Sequence, residues 1–184
     1  IAEMNAVSAY RQKIAVGSVN ATYESFVKPV LDRCLHEAED VAVKVVIGHS
    51  MNLIQMLQDN VLDMAFSSIP LKRAGFECME YDTDRLALVI GKGYNRYKGG
   101  VDEEGLKNMS YLMCDFLSEI GEFIRSLFPA DHVLKLEVYK SSKLLPELEE
   151  GLGYSFMPYK MVKEKIEEGV LEEVPLIGFK SLKV

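Results

Sequence analysis

The strongest constraint on the fold is an alternation of apolar strands and helices over residues 13–68. Apolar runs at residues 13–18, 41–47 and 61–66 predict strands, and small polar residues follow each of them. Parallel strands joined by helices place their carboxyl ends at one edge of the sheet, and open α/β folds bind ligands at that edge. The sequence therefore predicts where a binding site lies before it indicates a ligand.

Length and charge narrow the class of protein. A chain of 184 residues can bury a core as one domain or as two small lobes. The formal net charge is −7 and the basic residues are scattered, which argues against direct contact with nucleic acid. No apolar run approaches the roughly 20 residues that span a bilayer, and the first residues lack the pattern of a secretory signal. Because the chain begins with Ile rather than Met, we expect that a segment upstream has been removed.

The three cysteines, Cys34, Cys78 and Cys114, are odd in number and far apart. They form neither a CxxC pair nor a zinc-ligand spacing. This pattern predicts buried thiols in a reducing cytoplasm. Cys114, at the end of a predicted strand, has two possible roles, a redox-active thiol or an inert one. The inert role is favoured because no second cysteine has the spacing of a resolving partner.

Helical spacing and capping residues predict the helices of the first half. The spacing of apolar residues predicts that residues 1–12 are the tail of a helix. Apolar residues between positions 26 and 35 predict a helix that buries one face, with Pro29 in its first turn. Ser50 is predicted to cap a helix over residues 51–58, which Asn60 ends.

The second half repeats the α/β pattern and predicts another lobe. The expected strands cover residues 76–81, 86–90, 110–114, 133–139, 154–157 and 171–174, with a last one around Phe179. The expected helices cover residues 103–107, 119–128, 144–148 and 159–168. The chain crosses between the lobes near residues 88–91 and 155–158. Two crossings imply a hinge with a cleft beneath it.

In the order and spacing of these pieces, the chain resembles the effector-binding domain of LysR-type transcriptional regulators. The resemblance is carried by the first strand with its Pro-containing helix, the second strand followed by Ser50, the Leu-Asp-apolar-Ala element at residues 62–65, and the Gly-x-Gly strand at residues 151–158. It departs from the family at Gly93-Tyr-Asn-Arg96, where the family has His-Pro. The resemblance implies a two-lobed α/β fold of the type 2 periplasmic-binding-protein kind, with two crossover strands.

The resemblance also implies a domain organisation and a set of partners. Residues 1–12 would end the linker helix, residues 13–89 with 156–184 would form lobe I, and residues 90–155 would form lobe II. The winged helix-turn-helix domain would lie outside this sequence, and DNA would be contacted only through it. A small-molecule effector and a homodimer or homotetramer paired through the first lobe are the expected partners, without a cofactor, a metal or a membrane.

Candidate effector contacts lie in the loops that follow the strands. The resemblance implies contacts from the first lobe at Ser18, Asn20, Thr22, Ser50, Ser67 and Ser68. It implies contacts from the other lobe at Phe116, Ser118, Ser141 and Phe156. His49 is a further candidate, as a donor in the cleft or as an exposed loop residue. For the serines, ordinary capping and turn roles are the alternative.

Catalytic motifs are missing from the sequence. It contains no Gly-x-Ser-x-Gly elbow, no P-loop and no His-Glu-x-x-His spacing. We therefore expect a cytoplasmic bacterial sensor that binds a small, anionic metabolite between its lobes and does not transform it. The alternatives are an extracytoplasmic solute-binding protein of a transporter and, third, an enzyme on the same fold.

Overall fold

The computed structural model describes residues 10–114 and 119–179, with only the backbone of residues 119 and 120. The chain divides into two compact units, Ile1–Met79 and Glu80–Val184. Residues 80–89 and 156–179 thus group with the second unit. The predicted discontinuous first lobe, residues 13–89 with 156–184, stays a prediction.

Unit 1 is a parallel sheet with helical connections. Its strands are β1 (Gln12–Ser18), β2 (Val41–Ile47) and β3 (Met64–Phe66), and its helices are α1 (Asn20–Thr22), α2 (Lys28–Glu37) and α3 (Ser50–Gln58). The strand order is β2-β1-β3, with both pairings parallel. The predicted strand-helix-strand alternation is confirmed. Because β1 already begins at Gln12, the predicted helix over residues 1–12 does not extend that far, and most of it lies outside the described residues.

The first helical segment differs from the prediction around Pro29. The chain is helical from Asn20 onward, and a π-helix over Tyr23–Val27 connects α1 to α2. Pro29 therefore lies in the first turn of α2 but in the middle of a longer helical stretch. The π-turn offers a physical reason, because it shifts the bonding pattern so that the Lys28 N–H donates to the Tyr23 carbonyl just before the proline, which has no N–H.

The prediction for the start of α3 is wrong, and the prediction for its end is confirmed. Ser50 does not cap the helix. His49 occupies the N-cap position, and Ser50 is the first helical residue. The predicted stop at Asn60 is confirmed, since Asn60 has φ 56° and donates its N–H to the Leu57 carbonyl. The next N–H, from Val61, donates to the Met56 carbonyl at 2.9 Å, which completes a Schellman motif.

The strand predicted at residues 76–81 is wrong. No helix or strand covers residues 67–84. Phe76 is half-buried and residues 77–81 are exposed, so the apolar residues of this segment are not buried as a sheet face. A strand needs a neighbour for its backbone groups, and the local pattern could not reveal that none is present.

Unit 2 contains most of the short elements that the sequence predicts. Its strands are β4 (Leu86–Gly91), β5 (Leu112–Cys114), β6 (Leu136–Val138), β7 (Ser155–Pro158) and β8 (Leu171–Glu173). Its helices are α4 (Glu103–Lys107), α5 (Glu119–Ser126), α6 (Leu145–Glu149) and α7 (Tyr159–Glu167), with a 3₁₀ turn at Ser141–Lys143. One sheet has the antiparallel order β7-β4-β8, and β5 pairs with β6 in parallel. Phe179 lies outside any strand.

The core of unit 2 is arranged around β4, whose six residues are all buried. Leu88 and Ile90 pack into one apolar cluster, with Phe156 of β7. Ala87 and Val89 pack into a second cluster on the opposite face. The alternation of side chains along a strand thus gives one strand two buried faces, which explains its unbroken apolar sequence.

Candidate functional site

The carboxyl ends of the three strands of unit 1 are joined by hydrogen bonds. The Gly48 N–H donates to the Ser18 carbonyl at 3.1 Å, which joins the loops after β2 and β1. The Val19 N–H donates to the Phe66 carbonyl at 3.1 Å, which joins the loops after β1 and β3. The predicted convergence of strand ends is therefore confirmed. We call the loops at residues 18–20, 48–50 and 67–69 the serine edge.

Two hydroxyls meet at the serine edge. The Oγ atoms of Ser50 and Ser68 lie 3.0 Å apart, and the Ser68 N–H donates to the Ser50 Oγ at 3.2 Å. Ser50 is buried, whereas a capping serine would accept from its own helix. Its hydroxyl instead joins the first turn of α3 to the loop after β3. Sequence reasoning selected both serines but could not foresee that they contact each other.

Two further serines of the edge use their hydroxyls locally. Ser67 Oγ donates to the Ile69 carbonyl at 2.9 Å and accepts from the Ile69 N–H at 3.0 Å, a turn role that the sequence left open. Ser18 is fully buried and its Oγ donates to the Val19 carbonyl at 3.0 Å. Contact of either side chain with an effector stays a prediction.

The other candidates of unit 1 lie at the starts of its helices. Asn20 and Thr22 are half-buried in α1, directly after β1. His49 is half-buried rather than exposed, and its carbonyl accepts the Leu53 N–H at 3.0 Å. That bond is the first of α3, so the N–H groups of residues 50–52 are not used within the helix. These N–H groups lie at the positive end of the helix dipole.

The candidates of unit 2 have structural contacts where they are described. Ser141 is buried and its hydroxyl donates to the Met161 Sδ at 3.5 Å. Phe156 has no exposed surface and packs against the ring of Tyr111, with 6.1 Å between centroids. Phe116 and Ser118 lie outside the described residues. The roles of all four as effector contacts stay predictions.

Sequence reasoning gave no role to Tyr111, whose hydroxyl is fully buried in unit 2. The Phe156 N–H donates to the Tyr111 hydroxyl oxygen at 3.2 Å. Burial raises the pKa of this phenol above its usual value of 10.0, and the bond from Phe156 opposes the rise without cancelling it. The group therefore stays neutral and serves as an acceptor in the core.

The three cysteines differ in exposure, and no metal cluster is found in the described part of the chain. Cys114 is buried as predicted, Cys34 is half-buried, and Cys78 is exposed, so the prediction of buried thiols is wrong for Cys78. The reason is that Cys78 falls in the irregular segment rather than in a strand. Over residues 10–114 and 119–179, no three His, Cys, Asp or Glu side chains group in a way that could hold a metal ion.

A comparison with known families identifies the chain. The family model of the LysR substrate binding domain matches residues 8–182. The chain belongs to this family. The match covers both units, and it agrees with the resemblance found in the sequence. No curated protein matches the chain.

Solved structures of LysR-type regulators share the fold of this LysR substrate binding domain. The regulatory domain of CrgA, a LysR-type transcriptional regulator from Neisseria meningitidis, aligns with TM-score 0.69 and 15% identity over 93% of this chain and 86% of that one. The reduced OxyR regulatory domain from Pseudomonas aeruginosa aligns with TM-score 0.72 and 15% identity over 96% and 85%. The apo regulatory domain of HypT from Salmonella typhimurium aligns with TM-score 0.72 and 16% identity over 94% and 83%. At such identities the likeness concerns the fold alone.

Among the helices that the structure describes, none is long and apolar enough to cross a membrane.

Proposed function

We propose that this LysR-family domain senses a small, anionic metabolite at the serine edge and regulates transcription in a bacterial cytoplasm. The observation that carries the proposal is the contact between Ser50 and Ser68 at the start of α3. It brings two hydroxyls and a helix N-terminus to one place. Hydroxyl and backbone N–H donors at a helix N-terminus suit carboxylate or phosphate groups.

The charge of the serine edge supports an anionic effector. Residues 18–20, 48–50 and 67–69 contain no Asp or Glu, although the chain carries a net charge of −7. An anion bound there would meet donors without a fixed negative charge in the same loops.

Signalling is proposed from the family resemblance. An effector that binds one state of the two lobes better than another shifts the population toward that state, by as much as its affinities differ. In the parent regulator, such a shift would alter how paired subunits present their DNA-binding domains. The alternative, a solute-binding protein of a transporter, is less supported because the matching family model is that of the LysR domain.

The proposal is tested by screening small organic acids for a rise in melting temperature, since a ligand that binds the native state stabilises it by mass action. The binder found is then titrated by calorimetry against Ser50→Ala. We expect its affinity to fall at least tenfold. We also expect the apo protein to lose roughly 1–3 kcal/mol of unfolding free energy, because the Ser68 N–H loses its acceptor.

A matched control is Ser25→Ala, which removes a hydroxyl bond to the Ala21 carbonyl and changes no residue of the serine edge. This variant should keep the wild-type affinity. The proposal is wrong if no acid binds, or if Ser25→Ala weakens binding as much as Ser50→Ala does.

A further inference from the structure

Unit 2 contains a concave pocket of about 460 Å³ that no predicted effector contact lines. Three segments form most of it: the loop after β4 at residues 93–97, residues 108–110 between α4 and β5, and residues 151–154 before β7. Ile90 and Lys135 complete the lining. Its volume falls within the range of roughly 300–1,000 Å³ that is typical of small-molecule sites.

The pocket is lined by two cations and by no acidic residue. Arg96 and Lys135 line it, and no Asp or Glu does so within the described part of the chain. Neither cation has an ion pair with another described residue, and the Lys135 ammonium donates to the Leu152 carbonyl at 2.6 Å. In a chain with seven more acidic than basic residues, this local excess of positive charge favours an anionic ligand.

The rest of the lining mixes polar groups with aromatic and apolar ones. Tyr94 contributes a ring that is 53% exposed, and Ile90, Met109 and Tyr154 are buried beneath the surface of the pocket. A planar apolar body can stack on the exposed ring while its charged group meets the cations. The lining thus combines the features of a site for an aromatic carboxylate.

The wall of the pocket is held in place by hydrogen bonds and by close packing. The Arg96 N–H donates to the Tyr154 hydroxyl at 2.9 Å, and the Tyr97 N–H donates to the Asn95 Oδ1 at 2.8 Å. The Asn95 Nδ2 donates in turn to the Glu172 carboxylate at 2.9 Å. The ring of Tyr94 lies directly over Gly151, where a Cβ would stand 2.1 Å from the Tyr94 Cγ. A pre-organised wall lowers the entropy cost of binding.

We infer that this pocket is a second ligand site, which takes a small aromatic carboxylate. Its wall includes residues 93–96, one of the segments in which the sequence departs from the family pattern. It is separate in residues from the serine edge, and it does not depend on the proposed function.

The test uses the whole chain, labelled with ¹⁵N, and phenylacetate as the probe. We expect saturable amide shifts confined to the residues that line the pocket, at positions 90, 93–97, 108–110, 135 and 151–154. Replacement of both cations, Arg96→Met with Lys135→Met, should weaken binding at least tenfold and preserve the rest of the spectrum. The neutral analogue 2-phenylethanol should bind at least tenfold more weakly than phenylacetate.

Two matched variants separate this inference from the proposed function. Lys98→Met removes an exposed cation of the same loop that does not line the pocket, and it should leave the affinity for phenylacetate unchanged. Ser50→Ala should also leave it unchanged. The inference is overturned if phenylacetate causes no saturable shifts in the pocket, or if the double variant binds it as well as the wild type does. Shifts that respond to Ser50→Ala instead would overturn it and support the serine edge.

Discussion

At the scale of the residue, Tyr111 shows how one buried polar group can hold two strands. Its hydroxyl oxygen accepts the Phe156 N–H at 3.2 Å inside the core of unit 2. Replacement by Phe would leave that N–H buried without an acceptor, at a cost of about 1–3 kcal/mol. We expect Tyr111→Phe to lower the unfolding free energy by this amount in urea denaturation. Tyr139→Phe, at a side chain that is 68% exposed, is the control. Equal stability of both variants would contradict the role assigned to Tyr111.

The Tyr111 phenol also makes the unfolding free energy fall as the pH rises through the alkaline range. Burial raises the pKa of Tyr111 in the folded state above the 10.0 of an ordinary tyrosine. The unfolded state therefore loses its proton first. The contribution of Tyr111 is fully present below about pH 10 and falls as the pH rises further. We expect the unfolding free energy of the wild type to decrease between pH 9 and pH 11 more steeply than that of Tyr111→Phe. Parallel curves would show that the phenol titrates alike in both states.

Residue-scale reasoning from sequence succeeded where the chemistry is local. Asn60 was predicted to end α3 because its side chain tolerates a positive φ, and it has φ 56°. Ser50 was predicted to cap the same helix, yet its hydroxyl contacts Ser68, which is 18 residues away. A hydroxyl can satisfy either a local or a distant partner, and only the fold determines which one is in reach.

At the scale of the element, α6 and α7 end with the same glycine motif in different surroundings. Gly151 has φ +71° and Gly169 has φ +73°. A Cβ at Gly169 would meet the Lys92 Nζ at 2.8 Å, the far end of a flexible side chain. A Cβ at Gly151 would stand 2.1 Å from the ring of Tyr94. The two positions share the backbone strain and differ in steric overlap.

The difference predicts unequal costs for the same substitution. Gly169→Ala should lose about 1–2 kcal/mol, the cost of a left-handed alanine. Gly151→Ala should lose roughly 1–3 kcal/mol more, because the ring must move. Tyr94→Ala in the Gly151→Ala background should recover part of that excess, as measured by a double-mutant cycle in urea. Equal losses at Gly151 and Gly169 would show that Tyr94 yields without cost.

Local sequence patterns predicted most of the described strands and helices. They did not predict that residues 67–84 would form neither. The strands β1, β2 and β4 were all visible as apolar runs, and in β4 the reason is that all six residues are buried. Residues 76–81 are also rich in apolar side chains and form no strand. A strand forms only where a neighbouring strand can pair with it, and the local sequence does not show whether such a neighbour exists.

At the scale of the whole molecule, α2 leaves apolar surface uncovered. Val30 and Leu35 of α2 are 42% and 51% exposed, and Phe26, in the π-helix that precedes α2, is 36% exposed. The proposal from the family resemblance is that a second copy of the chain covers this face. Burial of such side chains would stabilise a dimer by about 25 cal/mol per Å² of apolar area.

We therefore expect Leu35→Glu to shift the chain toward the monomer in sedimentation-velocity experiments, because a charge would have to be buried in the interface. The control Glu37→Gln changes an exposed residue at the end of the same helix and should leave the sedimentation coefficient unchanged. A wild-type chain that is monomeric at every concentration would rule out pairing through this face.

The sequence by itself determined the alternation of strands and helices, the family, and the edge of the sheet where polar loops gather. Those features follow from hydrophobic periodicity, from burial and from the residue types in loops. Each of these affects only a few neighbouring residues, so it can be recognised in the local sequence. Only the tertiary structure decided that Ser50 contacts Ser68, that Phe156 lies in the core, and that Arg96 and Lys135 line one pocket. Each of these facts joins residues distant in the chain, and contacts of that kind depend on how the elements pack.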